Sequence, residues 1–266
     1  VTSDTTQSEL ATDATEPVSD SAGDSVPEDL ERLRELIDPA RVVLWDFDGP
    51  ICRLFAGHSA EQVAIELVEW LERQGLHGLL TEAERVSPDP HVVLRAVDHR
   101  HPGSDLVAEL EERLTQEELR AVPRAFPTPY VDILIQTWRA VGSRLAITTN
   151  NSARTVGTYL TERQLTGCFA PHLYGRTQAL HQLKPDPHCL NRALGAMGAA
   201  PSAALMIGDS PADFLAARRA GVPFLGYARN DRKEKELRAV GAETIVNSFA
   251  PVLRVVRDRR PGTGQA

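Results

Sequence analysis

The 266-residue sequence predicts an α/β fold, a parallel sheet flanked by helices and interrupted by a helical insert, and three observations carry that expectation. The first is Arg41-Val42-Val43-Leu44-Trp45, an apolar run typical of a strand buried on both faces, which stops abruptly at Asp46-Phe47-Asp48-Gly49. The second is the alternation of strand and helix patterns from Pro127 to Val246, which implies parallel strands joined by helical crossovers. The third lies between them: about seventy residues in which strand signals almost vanish and helical periodicity takes over.

Composition narrows the class of protein. Apolar residues make up 42% and charged residues 25%, ordinary values for a soluble globular chain. Nine of the 37 acids fall within residues 1–31, which hold no Lys or Arg, so the remainder carries 28 acids against 29 bases. With no basic stripe, nucleic acid is not an expected partner. No apolar run approaches the ~18 residues of a membrane span, and the acidic, Ser/Thr-rich start is unlike a secretory signal. Cys52, Cys168 and Cys189 are odd in number and lack paired spacing, which argues against a disulfide framework or a zinc knuckle. A cytoplasmic protein, monomer or homodimer, is the resulting expectation.

Residues 1–26 have no aromatic side chain and no periodicity, and read as a disordered acidic tail. Ser25-Val-Pro-Glu28 has capping-box spacing and opens a helix with Leu30, Leu33 and Ile37 on one face, closed by Asp38-Pro39. Within the insert, Val63, Leu67, Trp70 and Leu71 mark one helix, with Gly75 as its stop, and Leu106, Leu110 and Leu114 mark a second. Thr115-x-x-Glu118 is expected to open a third, while Pro88, Pro90 and Pro102-Gly103 read as loops. Beyond Pro127 the pattern gives a helix at 131–141, a strand at 144–150 and a helix capped by Ser152. A strand at 170–175, a helix at 187–197 ending at Gly198 and a strand at 203–207 follow. The run closes with a helix at 211–220, a strand at 223–227, a charged helix near 231–240 and a strand near 244–246. The core is therefore placed at 27–53 and 126–258, the insert at 54–125 with hinges near 52–55 and 125–128, and a flexible tail at 259–266.

Three core strands end in polar residues: Asp46 and Asp48, Thr149 and Asn150, and Asp209. In one parallel sheet these ends open on the same edge, where such sheets bind ligands. Asp46 and Asp48 project the same way, and two like charges at a buried strand end invite a divalent cation; a solvated turn would use the same residue types. In Leu183-Lys184-Pro185-Asp186-Pro187 a lysine is held rigid by two prolines at a helix entrance, and Asp213 follows Asp209 by four residues on the first turn of the next helix. Acids, a hydroxyl, a lysine and a helix N-terminus together suit phosphoryl transfer, where catalysis is mostly positioning and charge neutralisation.

Four ordered motifs carry a resemblance: Asp46-Phe47-Asp48-Gly49, Thr149-Asn150, Lys184-Pro185 and Gly208-Asp209-Ser210-Pro211-Ala212-Asp213. From about Arg41 to Val256 the chain resembles the haloacid dehalogenase (HAD) superfamily, in the subgroup of phosphoglycolate-phosphatase-like hydrolases with a small helical cap. The resemblance implies a Rossmann-like core with a cap domain at the insert, and Mg²⁺-dependent hydrolysis of a small phosphorylated metabolite through an aspartyl phosphate. It implies Asp46 as nucleophile, Asp48 as general acid and base, and Thr149, Asn150 and Lys184 around the phosphate. The implied metal ligands are Asp46, Asp209 and the main-chain carbonyl of Asp48, with Asp213 behind them as a partner of Lys184 or of a metal-bound water. Pro50 departs from the family pattern of Thr or Val after that glycine, which bears on the turn geometry. A phosphomutase of the same superfamily and a catalytically silent HAD-like binding module are the alternatives. Arg53, His58, Arg95, His99, Arg100 and His101 are candidates in the insert for reading a second anionic group.

Overall fold

The computed structural model describes residues 25–259. The acidic tail expected at 1–26 lies almost wholly outside the described residues, as does the expected C-terminal tail apart from Arg259. The chain opens with α1 (Ser25–Ile37) and β1 (Val42–Trp45). After the short β2 (Cys52–Arg53) come α2 (Ala60–Arg73), α3 (Glu82–Arg85), α4 (Pro90–Arg100) and α5 (Asp105–Ala121), and β3 (Phe126–Pro127) leads back. The next elements are α6 (Val131–Ala140), β4 (Arg144–Ser152), α7 (Ala153–Glu162), α8 (Thr166–Phe169) and β5 (Leu173–Arg176). They are followed by α9 (His188–Met197), β6 (Ala204–Gly208) and α10 (Pro211–Ala220). The last are β7 (Phe224–Tyr227), α11 (Asp231–Ala239), β8 (Ile245–Val246) and α12 (Ala250–Asp258).

Six strands form one parallel sheet in the order β5-β4-β1-β6-β7-β8, the α/β Rossmann-like arrangement that the alternating pattern predicts. Strand periodicity sorts the core onto two faces. Val43, Trp45, Leu145, Ile147, Leu205 and Ile207 pack with α1, α6, α7 and α12, whereas Val42, Leu44, Ala146 and Met206 pack with α9 and α10. Trp45 of β1 sits level with Ile147 of β4 and Ile207 of β6, so the polar residues that follow each strand emerge at one edge. Register breaks in β4 between Thr148 and Ser152, which lifts residues 149–151 out of the ladder at that edge. The antiparallel pair β2–β3 (Cys52 opposite Pro127, Arg53 opposite Phe126) pins the two ends of the insert together. The insert has its own apolar cluster around Val63, Leu67, Trp70, Leu94 and Leu110.

Several elements differ from expectation. Thr115 opens no new helix: α5 runs unbroken from its Ser104 cap through Ala121, and Thr115 and Glu118 are buried within it. Pro90 is not in a loop but at the first position of α4, capped by Asp89, a place where proline's missing N–H costs nothing. The closing helix α12 was not expected; it buries Val252, Leu253, Val255 and Val256. Arg259, expected in a frayed tail, instead donates to the carbonyls of Asp38 and Ala40. Among the described residues no helix is long and apolar enough to cross a membrane.

Candidate active site

The strand ends surround a cleft of about 590 Å³ between sheet edge and insert, whose walls include Asp46, Asp48, Thr149, Asn150, Lys184, Asp209 and Asp213. Lys184, only 2% exposed, is its hub: Nζ donates to Asp46 Oδ1 (2.7 Å), Asp213 Oδ1 (2.5 Å) and the Thr148 carbonyl (2.9 Å). A lysine can be buried there because all three of its donors meet acceptors, two of them charged. Asp213 Oδ2 accepts from the N–H groups of Asp209 (3.2 Å) and Ser210 (3.0 Å) and from the Ser210 hydroxyl (2.7 Å), completing the capping box of α10. Asp213 thus orients Lys184 and the turn after β6.

Two approaches in this site leave no room for a side chain. Gly49 has φ +117°, and a Cβ there would lie 2.3 Å from Asp209 Cγ; a Cβ on Gly208 would lie 2.4 Å from Asp213 Cβ. Pro50 fits the turn. The hydrogen bonds that close it come from the nitrogens of Gly49, Ile51 and Cys52, so proline's missing donor costs nothing. The turn is anchored by Thr128, whose hydroxyl donates to the Gly49 carbonyl (2.8 Å). Of the adjacent threonines, Thr149 lines the cleft, while the Thr148 hydroxyl turns toward Met206. Asn150 lines the cleft too, but its amide is engaged with the main chain of Lys184, accepting from the N–H (2.8 Å) and donating to the carbonyl (3.1 Å). That pairing makes it a positioning group for Lys184.

The acids are crowded. Burial, with Asp213 beside it and Lys184 pulling the other way, pushes Asp46 up to about 6. Burial likewise lifts Asp48 to about 6 against the Leu54 N–H that donates to its Oδ1 (2.8 Å). Asp209 is raised by burial to about 6, with the Lys233 ammonium 3.0 Å from its Oδ2 pulling it down. Burial would lower Lys184, but Asp213 and Asp46 outweigh it and hold the ammonium above its usual range. Carboxylate oxygens of Asp46, Asp209 and Asp213 lie within 4.8 Å of one another. All-oxygen donors at this spacing suit a hard divalent cation, and Asp46 and Asp209 have the capacity that Asp213 spends on Lys184 and the α10 cap.

Of the insert residues expected near a ligand, only Arg95 lines the cleft. His58 is paired with Glu117, Arg53 stacks on Phe126, and Arg100 is bound to Glu84. His99 and His101 lie at the C-terminal end of α4, away from the cleft walls. Residues that sequence reasoning passed over take their place: His91 from α4, Arg229 just before α11, and Arg232 and Lys233 in its first turn. The basic run 229–233 was the available signal, but in a charged helix it looks like any solvated face. A second buried network crosses from insert to core, where Arg176 of β5 donates to Glu118 (2.7 Å), Glu111 (2.9 Å) and Thr115 (2.8 Å) of α5.

Residues 83–227 match the family model described as haloacid dehalogenase-like hydrolase. The chain is 31% identical over 152 residues to a phosphoglycolate phosphatase of Mannheimia succiniciproducens, covering 56% of this chain and just under two thirds (66%) of that one. It is 26% identical over 239 residues to a phosphoglycolate phosphatase of Pseudomonas putida, covering 84% of this chain and 82% of that one. Among solved structures, a predicted phosphoglycolate phosphatase from Haemophilus somnus superposes with TM-score 0.57 at 20% identity over 82% of this chain and 98% of that one. CbbY from Rhodobacter sphaeroides, in complex with phosphate, does so with TM-score 0.57 at 19% identity over 79% and 95%. At these identities the structures speak for the fold.

Proposed function

The chain belongs to the haloacid dehalogenase-like hydrolase family, and from that premise we propose that it is a Mg²⁺-dependent phosphatase of small phosphomonoesters working through an aspartyl phosphate. The observation that carries the reading is the convergence of Asp46, Lys184 and Asp213 in one hydrogen-bonded unit with Asp209 beside it. Asp46 and Asp209, with the main-chain carbonyl of Asp48, are the residues that would hold Mg²⁺, which when bound neutralises phosphate and carboxylate charge.

Asp46 attacks phosphorus through a carboxylate oxygen as the bond to the ester oxygen breaks. Asp48 gives that leaving oxygen its proton; burial supports this by keeping a fraction of its carboxyl protonated near neutral pH. Asp48 then takes a proton from water, the water oxygen bonds to phosphorus, and the bond to Asp46 breaks to release inorganic phosphate. Lys184 offsets the charge of Asp46 and the phosphoryl group, and the Thr149 hydroxyl turns from Asn151 Oδ1 to donate to a phosphoryl oxygen. The insert closes the cleft as a cap, excluding water from the reaction. Because relatives are named phosphoglycolate phosphatases, phosphoglycolate is the first substrate to test. Release of phosphate from a panel of phosphorylated acids, sugars and nucleotides, with and without Mg²⁺, is the measurement. No Mg²⁺-dependent turnover of any of them, or of an aryl phosphate, would leave a binding module as the better reading.

A further inference from the structure

Glu118 stands in α5 of the insert with its side chain fully buried (0% exposed), yet its hydrogen bonds all reach into the core. Oε1 accepts from Asn151 Nδ2 (3.1 Å) and an Arg176 guanidinium N–H (2.7 Å). Oε2 accepts from the Ser152 main-chain N–H (2.9 Å) and the Thr155 hydroxyl (3.1 Å). The segment it grips is the end of β4, where the ladder with β5 is interrupted between Thr148 and Ser152.

The contacts run on to the cleft. The Thr149 hydroxyl donates to Asn151 Oδ1 (3.1 Å), and the Asn151 N–H donates back to Thr149 Oγ1 (3.2 Å). Arg176, oriented by Glu118, donates to the Asn150 carbonyl (3.0 Å), the same oxygen that His91 Nε2 approaches at 3.1 Å. Asn150 in turn brackets the main chain of Lys184. One carboxylate from the insert therefore sets both the hydroxyl and, through Asn150, the lysine.

We infer that Glu118 is a positioning residue for the 149–151 segment of β4, so that the segment takes its working geometry only while α5 is seated on the core. Its kinetic consequence rests on the phosphatase reading above; the structural claim does not. The plainer role would be to glue insert to core, and Glu111 provides the contrast. It meets the same Arg176 across the same seam (2.9 Å), but its hydrogen bonds touch nothing in 149–152. Glu118→Gln leaves one acceptor oxygen where there were two, so either the Asn151 or the Ser152 contact fails. A displacement of about 1 Å in a reacting group costs about 10²-fold in rate.

The test compares Glu118→Gln with Glu111→Gln, reading melting temperature, kcat and KM with Mg²⁺ and an aryl phosphate, and amide hydrogen exchange at Asn151 and Ser152. Glu118→Gln is expected to speed exchange at those two amides and to lower kcat by about 10–100-fold more than Glu111→Gln does. If Glu118→Gln does not fold, Glu118→Asp keeps the charge but withdraws it by one methylene, and the same comparison applies. Unchanged exchange at 151 and 152, or equal kcat losses in the two variants, overturns the inference. A wild-type protein inactive on every phosphate ester would instead count against the phosphatase reading, and the exchange data would still decide the role of Glu118.

Discussion

Lys184, in the loop before α9, and Arg176, at the end of β5, are both buried cations, and they are satisfied in different ways. Lys184 is a point charge held directly by Asp46 and Asp213, in a cleft whose walls also carry Asp48, Asp209, Lys233, Arg95, Arg229 and Arg232. Arg176 is a planar fork spread over Glu118, Glu111, Thr115 and the Asn150 carbonyl, and its charge is met. The carboxyls respond accordingly. Asp46 and Asp209 are pushed up to about 6, whereas Glu118, which burial alone would raise, is brought below its usual range by Arg176. At the open cleft, carboxyls raised by burial and by one another carry charge that a bound cation would offset. In the closed network one guanidinium meets two glutamates of α5, which ties the two units together.

The largest effects belong to the open network. Asp46→Asn should reduce turnover by about 10⁴-fold or more, as removal of a covalent nucleophile does. Asp48→Asn should slow turnover by about 10²–10⁴-fold while Mg²⁺ binding is nearly retained. With an activated phosphate ester this variant should accumulate phosphate on Asp46, seen as a mass shift of the intact protein that Asp46→Asn lacks. Undiminished steady-state rates in Asp48→Asn would refute its acid–base role. In the closed network the effect is on folding: Arg176→Met leaves Glu118 buried without its guanidinium partner, with only His91 Nε2 at 3.9 Å and neutral donors around it, and should cost about 3–5 kcal/mol in urea unfolding. A loss under about 1 kcal/mol would mean that water or rearrangement already compensates Glu118.

The two networks were unequally legible in the sequence. The open one is written in short-range spacing: paired acids two apart at a strand end, Asp209 and Asp213 four apart, a lysine before a proline. The closed one joins residues that only packing brings together, Glu118 to Arg176 across 58 positions and Glu118 to Asn151 across 33. Thr115-x-x-Glu118 even imitates a capping box, and the signal misleads because both side chains are spent on the seam instead. Pro90 misleads in the same way, since a proline at a helix start and one in a loop look alike in sequence. Gly49 was legible as a turn residue, but its need to let Asp209 approach was not.

The raised acids of the open network also make a prediction about pH. Asp46 and Asp209 are both 7% exposed and have folded pKa values raised to about 6 from an ordinary 3.8. A raised carboxyl favours the folded state when protonated, so its contribution is fully present below about pH 4 and is lost as pH rises through about 6. Metal-free protein should therefore gain stability on going from pH 7.5 to 5, on the order of a few kcal/mol from the two groups together. Mg²⁺ should raise the melting temperature most at pH 7.5 and little at pH 5, where it competes with protons. A Mg²⁺ effect that grows on acidification would contradict the assignment of these acids as its ligands.

The smallest predicted effect bears on Lys233, which belongs to neither network cleanly. Its ammonium lies 3.0 Å from Asp209 Oδ2 with the side chain 17% exposed, close enough to neutralise in part an oxygen that the metal reading needs. Two cations sharing one carboxylate repel each other, so Lys233 should weaken Mg²⁺ binding while limiting the repulsion among the acids in the metal-free protein. A partly solvated pair of this kind is worth about 1 kcal/mol, which corresponds to roughly a five-fold change in a dissociation constant. Lys233→Met should therefore tighten Mg²⁺ binding several-fold in calorimetry without substrate, and should lower the melting temperature of the metal-free protein slightly at pH 7.5. Weaker Mg²⁺ binding in Lys233→Met would mean that the ammonium orients Asp209 for the metal rather than competing with it.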